Sequence, residues 1–296
     1  MTKRASVLFD APGPKARVRY LIYSVVVVAA VLAGGVWLFL QFQDKGQFTA
    51  DKWRPFTESA IWETYLLPGI QGTLTAAVLS IVLALIVGMI FGILRMSEHR
   101  AMRGFAGTLV EVARSIPVLI LMIFLYAIFS EYKVFDTSQR TLAAVVTALT
   151  IYNGSVIAEI VRAGIRSLPK GQTEAAVALG MRKNQLMRLV LLPQAVTAML
   201  PALVSQMVVA LKDTALGYLI LYTELVRSSF QMGAALQNTI PALLVAGVIM
   251  IAFNSALTVL ATKLEQRLRS RKKGGAVVAA DSILTDAAPG VDLTQK

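Results

Sequence analysis

Thr73-Leu-Thr-Ala-Ala-Val-Leu-Ser-Ile-Val-Leu-Ala-Leu-Ile-Val-Gly-Met-Ile-Phe-Gly-Ile-Leu-Arg-Met96 carries no ionisable side chain before Arg95. A run of about 20 apolar residues crosses a hydrocarbon core of about 30 Å as a helix, because each residue rises about 1.5 Å. Five further tracts reach that length: Leu21–Leu40, Val110–Phe129, Leu142–Ile160, Ala195–Leu225 and Ile240–Ala261. The chain is 56% apolar with a mean hydropathy of +0.65, above the roughly 45–50% of soluble domains. The fold class that follows is all-α: a polytopic transmembrane bundle of about six spans. Within the quoted stretch, Gly88 and Gly92 stand four apart, a spacing that lets helix backbones approach closely in lipid. Two glycines fall at that spacing by chance as well.

Working outward, residues 1–20 form a basic arm with Pro12, Gly13 and Pro14, expected to be mobile. The tract at 21–41 is too long for the 7–15-residue core of a signal peptide and reads as a retained anchor. Trp53, Trp62 and Tyr65 suit a membrane interface. Residues 263–296 form a second tail, expected to be disordered from about 274, where Ala, Gly and Asp show no period.

Lys and Arg test the topology. With the N-terminus inside, segments 1–20, 95–108, 162–194 and 263–273 hold twenty of them on the inner side, against six in 42–69, 131–140 and 213–240 outside. That is the positive-inside pattern, and it places both termini in the cytoplasm. The net charge of +12 is therefore spread over inner loops that meet anionic headgroups, with no folded basic surface for nucleic acid. The chain has no Cys and only His99, which removes thiol chemistry and histidine metal clusters.

Ionisable side chains inside apolar tracts face protein or water by default. Glu111 and Arg114 stand three apart before Pro117 and can pair across one turn. Glu159 follows Asn153 and Ser155 in the fourth tract. Lys212, Asp213 and Thr214 interrupt the fifth, whose 31 residues exceed one bilayer thickness. A broken helix lining a cavity resolves this; so does a span that ends at Lys212–Asp213 with a re-entrant apolar loop beyond.

Between the fourth and fifth tracts lies Gln172-Thr-Glu-Ala-Ala-Val-Ala-Leu-Gly180. Pro169 and Gly171 mark a helix start, with Thr173 and Glu174 expected as a polar cap and an acid in the first turn. Ala175, Ala176 and Ala178 offer a small, smooth surface, and Gly180 can end the helix in a left-handed conformation. A second helical stretch spans Lys183 to Leu192. These residues fit an interfacial amphipathic helix and a docking element equally well.

The stretch resembles the EAA loop of ABC importer permeases. Gly72-Thr73-Leu74, Arg114-Ser-Ile-Pro117, Ala158-Glu-Ile-Val-Arg-Ala-Gly164, Leu192-Pro-Gln194 and Leu211-Lys-Asp-Thr-Ala-Leu216 are similar to the polar amino acid branch of that family, over about residues 70–262. The branch usually has Gly-Thr where this chain has Ser115-Ile116, Gln at Leu121 and Ser at Ala215. The arm and first span look most like those of actinobacterial glutamate-uptake permeases. The resemblance implies a permease core at 70–262 whose loop at 165–193 seats on an ATPase, with coupling carried by Glu174, Ala175, Ala176, Leu179 and Gly180. It implies import of a polar amino acid, glutamate first, by alternating access. It also implies two ATP-binding subunits that hold ATP and Mg, a second and different permease chain, and an extracytoplasmic binding protein, in a bacterial plasma membrane. Candidates for the substrate path are Arg114, Asn153, Glu159, Lys212, Asp213 and Thr214; internal ion pairing is the other reading of these charges. No GxxxxGK[ST] phosphate loop occurs, so this chain does not hydrolyse ATP by that route. An ion-coupled secondary amino acid transporter is the alternative. An enzyme lacks a catalytic cluster to work with, and a scaffold has no use for charges within its spans.

Overall fold

The computed structural model describes residues 13–285, and all regular structure in that range is helical. The chain divides into two compact units, Met1–Glu58 and Ser59–Lys296. In the first, α1 (Pro14–Asp44) starts seven residues before the apolar tract. Gly13 caps it in an extended conformation and Pro14 occupies its first turn, where a missing N–H costs nothing. The arm expected at 1–20 is thus helical from Pro14, and its residues 1–12 lie outside the described residues. No residue of α1 is buried. Beyond it come α2 (Ala50–Trp53) and a 3-10 turn at Arg54–Thr57. Trp53 donates its indole N–H to the Gln47 carbonyl at 3.0 Å, and Phe48 stacks on Phe39 with centroids 5.0 Å apart.

The second unit opens with α3 (Ser59–Ile61), a π-helical turn at Trp62–Leu66, and α4 (Leu67–Leu94), one continuous helix of 36 residues. Ala76, Ser80, Ala84, Gly88 and Gly92 are all buried, a small-residue stripe that recurs every fourth position. It packs on α7 (Thr137–Arg166). A Cβ on Gly88 would lie 2.4 Å from Ile157 Cγ2, and one on Gly92 2.7 Å from the Val161 side chain. The four-residue spacing is therefore a packing device, with no room for even a methyl group.

The third tract is not a straight span. It divides into α5 (Arg100–Ser115) and α6 (Val118–Glu131), bent by 98°. Ile116 and Pro117 both have extended ψ, 125° and 128°. Proline disfavours the helical region for the residue before it and cannot donate to the ladder, so the helix stops there.

After α7 come α8 (Lys170–Ala178), α9 (Lys183–Gln185), a π-helical turn at Leu186–Leu191, and α10 (Leu192–Asp213). A 3-10 segment, Thr214–Ile220, continues it and ends at Leu221 with φ of +64°. Then come α11 (Leu225–Ala235) and α12 (Thr239–Thr285). Where the sequence suggests irregular chain from about 274, the backbone stays helical to Thr285; Ala276, Ala279 and Ala280 favour that state. The remainder of the tail lies outside the described residues. Among the described residues, five helices are long and apolar enough to cross a membrane, or six with the bent pair taken as one span.

Candidate functional site

Helix α8 begins at Lys170 with Pro169 at its N-cap position. The expected Thr173 cap is therefore already inside the helix, and Glu174 stands past its first turn. Gly180 has φ of +72°. Its N–H donates to Val177 O at 2.9 Å, and Met181 N–H to Ala176 O at 3.1 Å, the paired bonds of a Schellman ending. Gln194 at the start of α10 donates to Gln172 Oε1 at 3.2 Å.

The exposure pattern of α8 divides the residues expected to carry coupling. Ala176 is buried, in one cluster with Val161 and Ile165 of α7, Leu186, Met187 and Leu191, and Ala195 of α10. In this position it anchors α8 to the core. Glu174, Ala175 and Gly180 are exposed, as is Leu179 at 82%. A short helix is thus fused on one side to the core of two spans and presents an apolar tip on the other.

Near the end of α4, a charged network ties three helices. Arg95 donates to Glu159 Oε2 of α7 at 2.8 Å and to Glu111 Oε1 of α5 at 3.0 Å. Arg114 donates to Glu111 Oε2 at 2.9 Å, and Arg162 pairs with Glu159 across one turn. Three guanidiniums and two carboxylates leave one positive charge in excess. Arg114 and Glu111 pair as their spacing allows; Arg95 and Arg162 were not among the candidate site residues. Arg162 is readable at three residues from Glu159, whereas Arg95 stands 64 residues from Glu159.

The fifth tract breaks where its charges lie. Thr214 is fully buried and donates to Leu211 O at 2.7 Å, where the α-helix tightens into 3-10 geometry. Lys212 is exposed and Asp213 half-buried, with no salt bridge between them. Asn153, buried in α7, accepts from Gln206 Nε2 at 2.7 Å and donates to Leu149 O, which joins α7 to α10. The structure does not gather the six path candidates. Arg114 and Glu159 share the charged network, while Asn153 and the Lys212–Thr214 break each stand apart from it.

Beyond the break, Glu224 caps α11 by accepting from Val226 N at 2.8 Å and Arg227 N at 2.7 Å. It is 1% exposed, and burial pushes its carboxyl up to about 7. Burial also raises the neighbouring Tyr222 phenol to about 12, and its hydroxyl donates to Gly72 O at 2.7 Å. Leu225 N–H donates to Thr73 Oγ1 at 3.1 Å. A Cβ on Gly72 would stand 1.9 Å from Thr223 O, which gives the Gly72-Thr73 pair a physical reason. The sequence reading passes over Glu224; the capping position before Leu225 is its only local signal.

Comparisons with known proteins bear on the family and the fold. The profile of the family described as "Binding-protein-dependent transport system inner membrane component" matches residues 84–270. The chain is 54% identical over 234 residues, 79% of its own length and 86% of the other's, to the glutamate transport system permease protein GluD of Corynebacterium glutamicum. It is 31% identical over 208 residues, 69% and 93% of the two chains, to the glutamate/aspartate import permease protein GltK of Escherichia coli O157:H7. It superposes on the crystal structure of an amino acid ABC transporter with histidines at a TM-score of 0.62 and 27% identity, covering 68% of this chain and 92% of that one. An ion-coupled secondary transporter is not favoured. The chain belongs to the binding-protein-dependent inner membrane components, and its part in an ABC importer is that of the membrane-spanning permease subunit rather than of an enzyme.

Proposed function

We propose that this permease carries a polar amino acid, with glutamate as the leading substrate, into a bacterial cell by alternating access. Two separate ATP-binding subunits hold ATP and Mg, and one of them seats on α8. A second, different permease chain completes the path, and an extracytoplasmic binding protein delivers the substrate. The permease core is residues 70–262, the anchor at 21–41 is an addition to it, and both termini face the cytoplasm. The observation that carries the reading is α8 itself. Ala176 is built into the core of α7 and α10, while Leu179 projects at 82% exposure. A partner that moves this tip moves two spans. Relatives named for glutamate and for glutamate/aspartate support the substrate. The exposed Lys212, half-buried Asp213 and buried Thr214 offer opposite charges and a hydroxyl at a helix break, where freed backbone groups can line a path. Arg114, the most exposed arginine of its network, offers a carboxylate partner; Asn153 and Glu159 hold the adjoining turns of α7.

Competitive uptake of labelled amino acids into proteoliposomes containing the whole complex tests this. Glutamate is expected to compete best, and uptake to stop on ATP depletion while persisting with an uncoupler. Uptake that follows an ion gradient without ATP would overturn the coupling. Unchanged affinity and rate in Arg114→Gln and Asp213→Asn would overturn the path residues.

A further inference from the structure

A cavity of about 270 Å³ lies among α4, α5 and α7, lined by Val87, Phe91, Leu109, Ala113, Ile151 and Gly154 among others. The one polar side chain on its wall, Ser155, donates its hydroxyl to Tyr152 O at 2.6 Å. Nothing on the wall is left to greet an amino acid, which carries an ammonium and a carboxylate. An apolar hollow of this kind favours apolar guests. Its surroundings on the outer face of the bundle are apolar too: Ile86 and Ile90 of α4 and Phe105 and Val112 of α5 are exposed at 50–68%, as a surface in contact with acyl chains would be.

The charged network begins one helical turn further along two walls, α4 and α7, and directly beside the lining residues on α5. Arg95 follows Phe91 by four residues on α4, Glu159 follows Ser155 by four on α7, and Arg114 follows Ala113 on α5. The network carries one surplus positive charge, and Arg114 is its most exposed arginine, at 39% against 12% for Arg95 and 23% for Arg162. An apolar cavity beside a charged network with a net positive charge, whose most exposed guanidinium is Arg114 even while it pairs with Glu111, matches the two halves of an amphiphile. We infer that this three-helix cavity is a binding site for an anionic phospholipid of the inner leaflet, with an acyl chain in the cavity and the headgroup phosphate on Arg114. Basic pockets between transmembrane helices on the cytoplasmic side suit such headgroups. The inference rests on the inner-side placement of the network proposed above, and a headgroup on Arg114 competes with the role of that residue as the substrate's carboxylate partner.

The test uses the whole complex in proteoliposomes, with phosphatidylglycerol and phosphatidylcholine probes bearing the same photoactivatable acyl chain and labelled peptides mapped by mass spectrometry. The phosphatidylglycerol probe is expected to label segments 109–113 and 151–155 about fivefold more than the other, the factor for one basic side chain near a headgroup. Arg114→Gln should erase the preference, and Ala113→Phe should empty the cavity of label. Val248→Phe, on the exposed face of α12, should leave the label in place. Equal labelling by both probes, undiminished labelling in Ala113→Phe, or cross-links from these segments to the second permease in place of lipid would each overturn the site. Because the readout is labelling, its failure leaves the import reading untouched.

Discussion

Gly180 concentrates the coupling argument in one residue. Its φ of +72° is a conformation that costs an L-residue about 1–2 kcal/mol, and a Cβ there would meet nothing within 4 Å. A substituent at Gly180 therefore harms what docks outside more than what packs within. Gly180→Ala should lower uptake only modestly, whereas Gly180→Trp should leave the complex inserted and hydrolysing ATP while uptake falls about tenfold, the equivalent of about 1.4 kcal/mol. Parallel ATPase and uptake assays check this, and normal uptake by the Trp variant would remove Gly180 from the coupling surface. The left-handed turn was legible because few residues but glycine end a helix that way. The burial of Ala176 was not, because it depends on the helix beginning at Lys170, and alanine suits a buried or an exposed face equally.

At the scale of elements, the spans were readable because lipid imposes a length on them, and four-residue spacing named Gly88 and Gly92 without naming Ile157 and Val161 as their neighbours. The 98° bend was not readable as an angle: both sides of Pro117 are apolar, so hydropathy passes through the break unchanged. The connection between the 3-10 segment and α11 gave only the capping position of Glu224 as a signal, yet it holds a testable group. Glu224 has its carboxyl raised from 4.5 to about 7, so between those values the folded protein holds a proton that the unfolded chain has released. Stability then falls as pH rises through this window and levels off above about 7, with a full span of at most roughly 3 kcal/mol. Thermal melts of the purified complex should show a higher midpoint at pH 5.5 than at 7.5. Glu224→Gln, which keeps an acceptor for the α11 amides, should narrow that gap. An equal gap in both proteins would clear Glu224 of the effect.

For the whole molecule, the proposed coupling raises the question of how a push on α8 would reach α4 and α5. The buried cluster around Ala176 binds it to α7 and α10, and the small-residue stripe seats α4 on α7. The charged network adds α5, through Arg95 to Glu111 and Glu159. These long-range pairs bring together residues far apart in sequence, which is why the candidate charges were visible one by one and their joining was not. Side-chain exposures of 12% for Arg95 and 22% for Glu159 put the pair between a surface bridge of about 0.2–1 kcal/mol and a buried one whose breaking costs about 3–5 kcal/mol. A double-mutant cycle should separate this linkage from two unrelated losses. Arg95→Gln and Glu159→Gln are each expected to destabilise the complex by about 1–3 kcal/mol, and the double variant by less than their sum, because both single changes remove the same ion pair. Strict additivity in melts of the intact complex would mean that α4 and α7 are held by packing alone, and that motion of the coupling helix reaches α5 by another route.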